Sequence, residues 1–246
     1  MRLNYIKAIA SVMAVFLLTA ACVKKNEASA SEKNVVSEKE FPISEYSIIS
    51  AALPYDIIYE QKEGAAYLKV VGNQENIDNL NVVVKDNILQ MTQKKSINNN
   101  TNDRVKIYTN SKELSLVSLN GSGDLLLRGT VKGKKLDIRL EGSGDLKAED
   151  LQSETLSLGI NGSGDAELHG KSIAAAFNIN GSGDIDAKNY QVESLRVYAS
   201  GSGDVVAYVS KDLYANSSGS GDIVYLGNPA KVTKDVTGSG DIHAKK

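Results

Sequence analysis

The stretch Leu158-Gly159-Ile160-Asn161-Gly162-Ser163-Gly164-Asp165-Ala166-Glu167-Leu168 decides the fold, because its central tetrapeptide stands at seven places in the chain. Gly-Ser-Gly-Asp begins at Gly121, Gly142, Gly162, Gly181, Gly201, Gly219 and Gly238, so the starts are almost evenly spaced. A fixed period of about 20 residues marks one supersecondary unit stacked on the next, the signature of a solenoid.

The residues on both sides of the tetrapeptide keep a period of two. Leu125, Leu146, Ala166, Ile185, Val205, Ile223 and Ile242 follow each Asp, and a second apolar or small residue comes two positions later in each repeat. Upstream, Leu119, Leu140, Ile160, Ile179 and Ala199 stand two positions before the first Gly, with Val117, Ile138, Leu158, Phe177 and Val197 four before it. Alternation of this kind predicts half-buried strands. The fold class read from the chain is all-β: a parallel β-solenoid with coils of about 20 residues and Gly-Ser-Gly-Asp corners, its six intervals spanning roughly 29 Å.

Glycine suits such a corner because stacked turns leave no room for Cβ atoms. Ser and Asp add short acceptors for backbone amides within the turn. The seven aspartates, Asp124, Asp145, Asp165, Asp184, Asp204, Asp222 and Asp241, then form a ladder of like charges. Carboxylates about 5 Å apart repel by about 0.9 kcal/mol in water, so amide donors or a bound cation must offset them. Calcium-binding β-rolls set the comparison, but their nonapeptide places the Asp differently and more densely. A structural corner is therefore preferred, with no cofactor and no metal ligand set assigned, and Ca2+ on the ladder is the alternative.

Composition bounds the remaining choices. The chain has 246 residues, 41% of them hydrophobic, only 6% aromatic and no Trp, which fits a thin core of small aliphatic side chains. Without residues 1–21, which contain Arg2 and Lys7, 26 basic side chains face 30 acidic ones. That balance excludes nucleic acid as a partner.

Residues 1–21 read as an export signal: Arg2 and Lys7 form the charged start and residues 8–18 the apolar run. Thr19-Ala20-Ala21-Cys22 follows, and this resembles the bacterial lipobox, which implies that Cys22, the only cysteine, is the lipidation site. Residues 22–40 are polar and lack proline, as expected of a disordered tether with roughly 23 Å of reach. The folded body is expected to begin near Phe41. Residues 41–120 carry strand signals at 56–59, 67–71, 80–84, 88–91 and 105–108, a tight turn at Lys85-Asp86-Asn87 and a polar loop over 93–104. They are expected to supply irregular first coils and a cap, and residues 121–246 the repetitive solenoid.

The repeats at Gly159-Ile160-Asn161-Gly162-Ser163-Gly164-Asp165 and Asn178-Ile179-Asn180-Gly181-Ser182-Gly183-Asp184, with the leading stretches Leu68-Lys69-Val70-Val71-Gly72 and Asn87-Ile88-Leu89, resemble a bacterial lipoprotein family. That family is described as putative autotransporter adhesin, head GIN domain, and the resemblance covers residues 41–246. It implies a right-handed β-helical body on the cell envelope, lipid-anchored to the outer membrane and facing the periplasm or the surface, with adhesion as its role and no catalytic residues.

Other parallel β-helices are lyases and hydrolases acting on polysaccharides, so a carbohydrate-active enzyme is the main alternative. Acid-base catalysis needs two carboxylates in different environments, whereas these recur alike in every coil. His169 and His243 lie several repeats apart, Ser122 and its equivalents have no base in view, and no catalytic residue is assigned. Tyr198, Tyr208 and Tyr214 fall on the wet parity of their strands and, with Arg196 beside them, are the candidate binding surface for carbohydrate or protein. The alternative, which the high β propensity of Tyr favours, is that they simply cover outward positions. The last repeat ends the chain within one strand of its corner. Three outcomes stay open for that edge: earlier residues cover it, the terminal lysines guard it, or another copy docks there as a homo-oligomer.

Overall fold

The computed structural model describes residues 36–95 and 105–245, so the export signal, Cys22 and most of the 93–104 loop lie outside the described residues. Successive repeats form one long bent strand each: β9 (Leu125–Gly142), β10 (Leu146–Gly162), β11 (Ala166–Gly181), β12 (Ile185–Gly201) and β13 (Val205–Ser217). Each pairs in parallel with the next, and the corner glycines fall in register, Gly121 on Gly142 and Gly142 on Gly162. A sixth turn follows as β14 (Ile223–Leu226) and β15 (Lys231–Val236), and β16 (Ile242–Ala244) lies on β14. The chain is thus an all-β solenoid in which one Gly-Ser-Gly-Asp repeat makes one coil.

Each coil points its apolar residues inward in three groups, which define three sides. In β10 these are Leu146 and Ala148, then Leu151, then Leu156, Leu158 and Ile160, all buried. Burial of such a side chain is worth about 1.5–3 kcal/mol, repeated on every level. Repeats of slightly unequal length stay in register because the slack is taken up at the bends. Register shifts fall between the first and second sides at 148–151, 167–169 and 187–191, and one more falls at 192–194, before the third side. The irregularity of the repeat is therefore a property of these bends, and the Gly-Ser-Gly-Asp corner is constant.

The corner glycines answer to close approach. A Cβ on Gly144 would lie 2.1 Å from the carbonyl oxygen of Gly123, and one on Gly142 would lie 2.2 Å from that of Gly121. Gly142 in addition holds φ at +128°, a region that side chains disfavour.

The N-terminal half stacks out of chain order. β2 (Ile48–Ala52) and β3 (Asp56–Gln61) form a layer that pairs with β8 (Leu116–Gly121) and β9 on one side. On its other side lie β6 (Ile88–Gln93) and β7 (Lys106–Ser111), which come later in the chain. The parallel stack then ends in antiparallel strands: β4 (Leu68–Asn73) on β7, β1 (Val36–Phe41) on β4, and β5 (Leu80–Lys85) on β6. The β5–β6 hairpin turns through Asp86 and Asn87, both at positive φ (51° and 65°), as a two-residue turn of matching twist requires. A short helix, α1 (Gln74–Asn79), joins β4 to β5 and starts at Asn73, whose side chain accepts from the Asn76 amide.

Two expectations need correction. Residues 36–40, assigned to the tether, are already strand: Val36 to Phe41 pair with Asn73 to Leu68 over six positions. Their side chains are mostly exposed, so the order comes from backbone pairing and leaves no apolar alternation to detect. The 41–120 region is also less irregular than expected, since two of its layers follow the solenoid's parallel geometry.

Candidate functional site

The aspartate ladder runs along one corner. Each Asp amide donates to Oδ1 of the Asp one coil before it, at 3.0 Å for Asp145 to Asp124, 2.8 Å for Asp165 to Asp145 and Asp184 to Asp165, and 2.7 Å for Asp204 to Asp184. Asp222 and Asp241 continue the series at 2.7 and 2.8 Å. In the other direction, the amide after each Asp donates to the carbonyl of the Asp one coil later, as from Leu146 to Asp165 at 2.8 Å. The acceptor therefore serves the neighbouring coil, whereas the sequence placed it within its own turn. The corner serines do not share this task; their amides donate to the preceding coil's glycine carbonyls, as Ser163 does to Gly142 at 2.9 Å.

An eighth carboxylate belongs to the ladder. The Asp124 amide donates to Oδ1 of Asp56, at 3.3 Å, although Asp56 follows Leu53-Pro54-Tyr55 and carries no glycine signature. At the last described corner the Asp241 Oδ1 accepts from the Ile242 amide at 2.8 Å. Among the described residues no group of three or more His, Cys, Asp or Glu side chains is arranged to hold a metal ion.

The charged side chains of the first side are spent on one another. Lys147 Nζ lies 2.8 Å from Glu167, and His169 Nε2 lies 3.0 Å from the other oxygen of that carboxylate. The Lys147 hydrogen bond, aided by His169, holds the Glu167 carboxyl below the usual range. Lys188 pairs with Asp186, and His243 with Asp241. Each histidine thus lies beside a carboxylate.

The four residues expected to form one binding surface divide into two places. Tyr198 and Tyr214 meet on the outer face of the third side, ring centroids 5.6 Å apart and tilted by 49°. Arg196 is the register partner of Tyr214 and is exposed beside them. Tyr208 does not join: it lines a separate groove of about 1080 Å³ along the second bend, with Lys134, Lys171 and Glu193 among its walls. Parity along the strand separates in from out, but it does not say which of three sides an outward residue occupies.

The residues missed by sequence reasoning lie next to Tyr198. Asn178 is its register partner on the preceding coil, Asn180 is paired with Ser200, and Asn161 with Asn180. The Asn-Ile-Asn pattern ahead of the corner was the available signal.

The chain matches the family described as "Putative auto-transporter adhesin, head GIN domain" over residues 45–229. It belongs to this family. A putative adhesin from Bacteroides fragilis NCTC 9343 shares its fold with a TM-score of 0.80 at 27% identity, covering 87% of this chain and 98% of that one. A putative lipid binding protein from Parabacteroides distasonis ATCC 8503 is 30% identical with a TM-score of 0.68, covering 86% and 97%. A putative adhesin from the same organism is 25% identical with a TM-score of 0.69, covering 86% and 98%. No curated protein matches the chain. These three relatives are named for adhesion or lipid binding, and an adhesin-like family points to the cell envelope or surface.

Proposed function

We propose that the protein is a non-catalytic binding module of the cell envelope, an adhesin-like lipoprotein held to the outer membrane through Cys22. The observation that carries this reading is the use made of the ladder. Every corner carboxylate from Asp56 to Asp222 accepts the amide of the next coil, so the most repeated acid in the chain builds the rod. Acid-base catalysis requires two carboxylates whose surroundings differ. A rod of this kind instead offers long, rigid, solvent-facing columns, and a tether over residues 22–35 would give it reach from a membrane surface. The family membership and the adhesin names of its relatives support the same reading.

The test is fractionation of cells making the full-length protein, with metabolic labelling by a palmitate analogue. The wild type is expected to carry label and to sediment with the outer membrane, and Cys22→Ala to lose label and appear in the soluble fraction. Membrane association that survives Cys22→Ala would overturn the anchor. Adhesion is read separately, from retention of beads coated with the protein on bacterial or epithelial cell layers.

A further inference from the structure

The outer face of the third side changes in chemistry along the rod: on β9 it carries charge, Arg139 pairing with Asp137 at 2.7 Å, and on the next three coils it turns neutral around one spot. On this face Gly159, Asn161, Asn178, Asn180, Tyr198 and Ser200 border a shallow depression of about 310 Å³ with no charged residue in its lining. Gly159 opens it: a Cβ there would meet nothing within 4 Å.

The amides in this window are unspent. At its two ends the neighbouring amides are tied down, Asn120 donating to Glu141 at 3.2 Å and Asn216 to Asp235 at 3.1 Å. Between them, the side chains of Asn161, Asn178 and Asn180 make no hydrogen bond to any of the described residues, although all three are exposed on a rigid parallel sheet. Tyr198 stands at the rim with 43% of its surface exposed, and the ring of Tyr214 braces it from the next coil.

We infer that this face is a binding platform for a neutral, hydroxyl-rich polysaccharide, an inference that rests on the binding-module reading above and names its ligand class. An amide offers a donor and an acceptor side by side, which matches a pair of adjacent sugar hydroxyls. An exposed Tyr ring packs against the apolar C–H face of a sugar and keeps its hydroxyl wet. Rungs lie about 4.8 Å apart, a spacing close to one sugar ring, so a chain lying along the axis meets Asn161 and then Asn180 in one column and Asn178 and then Tyr198 in the neighbouring one. The lining itself brings no charge, and Arg139, the register partner of Gly159, and Arg196, two residues before Tyr198, stand outside it, so recognition rests on the amides and the ring.

The test is binding of the full-length protein in detergent to immobilised neutral polysaccharides (mannan, galactan, dextran and β-glucan), with heparin as the charged comparator. At least one neutral polymer is expected to be retained with little dependence on salt. Tyr198→Ala, Asn180→Ala and Gly159→Gln, the last filling the depression, are each expected to weaken it about tenfold with unchanged melting. Lys134→Ala, in the other groove, is expected to bind as the wild type does. Retention of heparin alone, or equal retention by wild type and Tyr198→Ala, overturns the assignment. The same variants on coated beads separate the two levels: beads that adhere to cells regardless of Tyr198→Ala sink this face and leave the module, whereas wild-type beads that neither adhere nor retain polymer sink both.

Discussion

The backbone amide of Asp145 donates to Oδ1 of Asp124 across 3.0 Å, and the same contact recurs on every following coil, so that a column of like charges is held by the groups it would otherwise leave unpaired. The bond needs an oxygen acceptor and not a charge. Asp165→Asn should therefore leave the melting temperature nearly unchanged or raise it by relieving repulsion, while Asp165→Ala should cost about 1–2 kcal/mol by orphaning the Asp184 amide. Because the amides already occupy one oxygen of each carboxylate, circular dichroism melting should be the same in calcium and in chelator. A large fall on chelation would assign the ladder to a cation instead.

Two glycines, Gly144 in a corner and Gly159 within a strand, should respond in opposite ways. Gly144 has no positive φ, yet its Cβ would lie 2.1 Å from a backbone oxygen that has nowhere to move. Gly144→Ala is expected to lower the melting temperature by about 10 °C or more. Gly159 sits in an open position, and Gly159→Ala should be neutral or stabilising by up to about 1 kcal/mol, since alanine restricts the unfolded chain. Parallel thermal melts check both, and an equal response would mean that steric closeness is not what selects glycine at the corners.

The parts of this architecture legible in the sequence are those where one rule acts alone. The buried alternation around each corner follows from side-chain parity, and the Asp86-Asn87 turn follows from its turn chemistry. Asp56 was invisible because glycine is demanded only where another corner lies directly beneath; Leu53 and Tyr55 hold the equivalent positions with buried side chains. The layer order of β2, β3, β6 and β7 leaves no local trace, since parallel pairing between distant segments imposes no motif on either. The separation of Tyr208 from Tyr198 had the same cause: a period of two carries no information about which side of the coil a strand occupies.

Two of the buried phenols in the N-terminal layers, Tyr59 and Tyr46, should set the alkaline limit of stability. Burial pushes the Tyr59 phenol up from 10.0 to about 12, against a hydrogen bond with the Ser111 hydroxyl at 2.9 Å, and burial raises Tyr46 as well. The fold favours the neutral form, so the Tyr59 contribution, about 3 kcal/mol for two pH units, is present in full below pH 10 and is lost as pH rises towards 12. Tyrosinate absorbance followed with circular dichroism should show delayed ionisation that ends in cooperative loss of strand signal. Tyr59→Phe should melt lower at neutral pH, by about 1 kcal/mol for the lost bond, and yet unfold at a higher pH than the wild type. A Tyr59→Phe alkaline midpoint at or below that of the wild type would remove Tyr59 as the cause.

The last described edge of the solenoid carries one side chain placed to guard it. β15 pairs only with β13 among the described residues, and its inward parity is Val232, Lys234 and Val236, opposite Leu213, Ala215 and Ser217. With no described coil beyond them, Val232 and Val236 stay 37% and 43% exposed, which is the kind of edge that recruits other chains. Lys234 stands between them at a position where every earlier coil has an apolar or small residue. Its Nζ donates to the Ile242 carbonyl at 2.6 Å and lies 5.3 Å from the centre of the Tyr225 ring. An inward charge at a terminal strand makes stacking of a second molecule costly, because the ammonium would be stripped of water without a counter-charge. Lys234→Leu should therefore convert a monomer into species whose size grows with concentration in sedimentation velocity, and Lys234→Arg should remain monomeric. If the wild type already associates and Lys234→Leu changes nothing, the edge is an interface and Lys234 is not its guard.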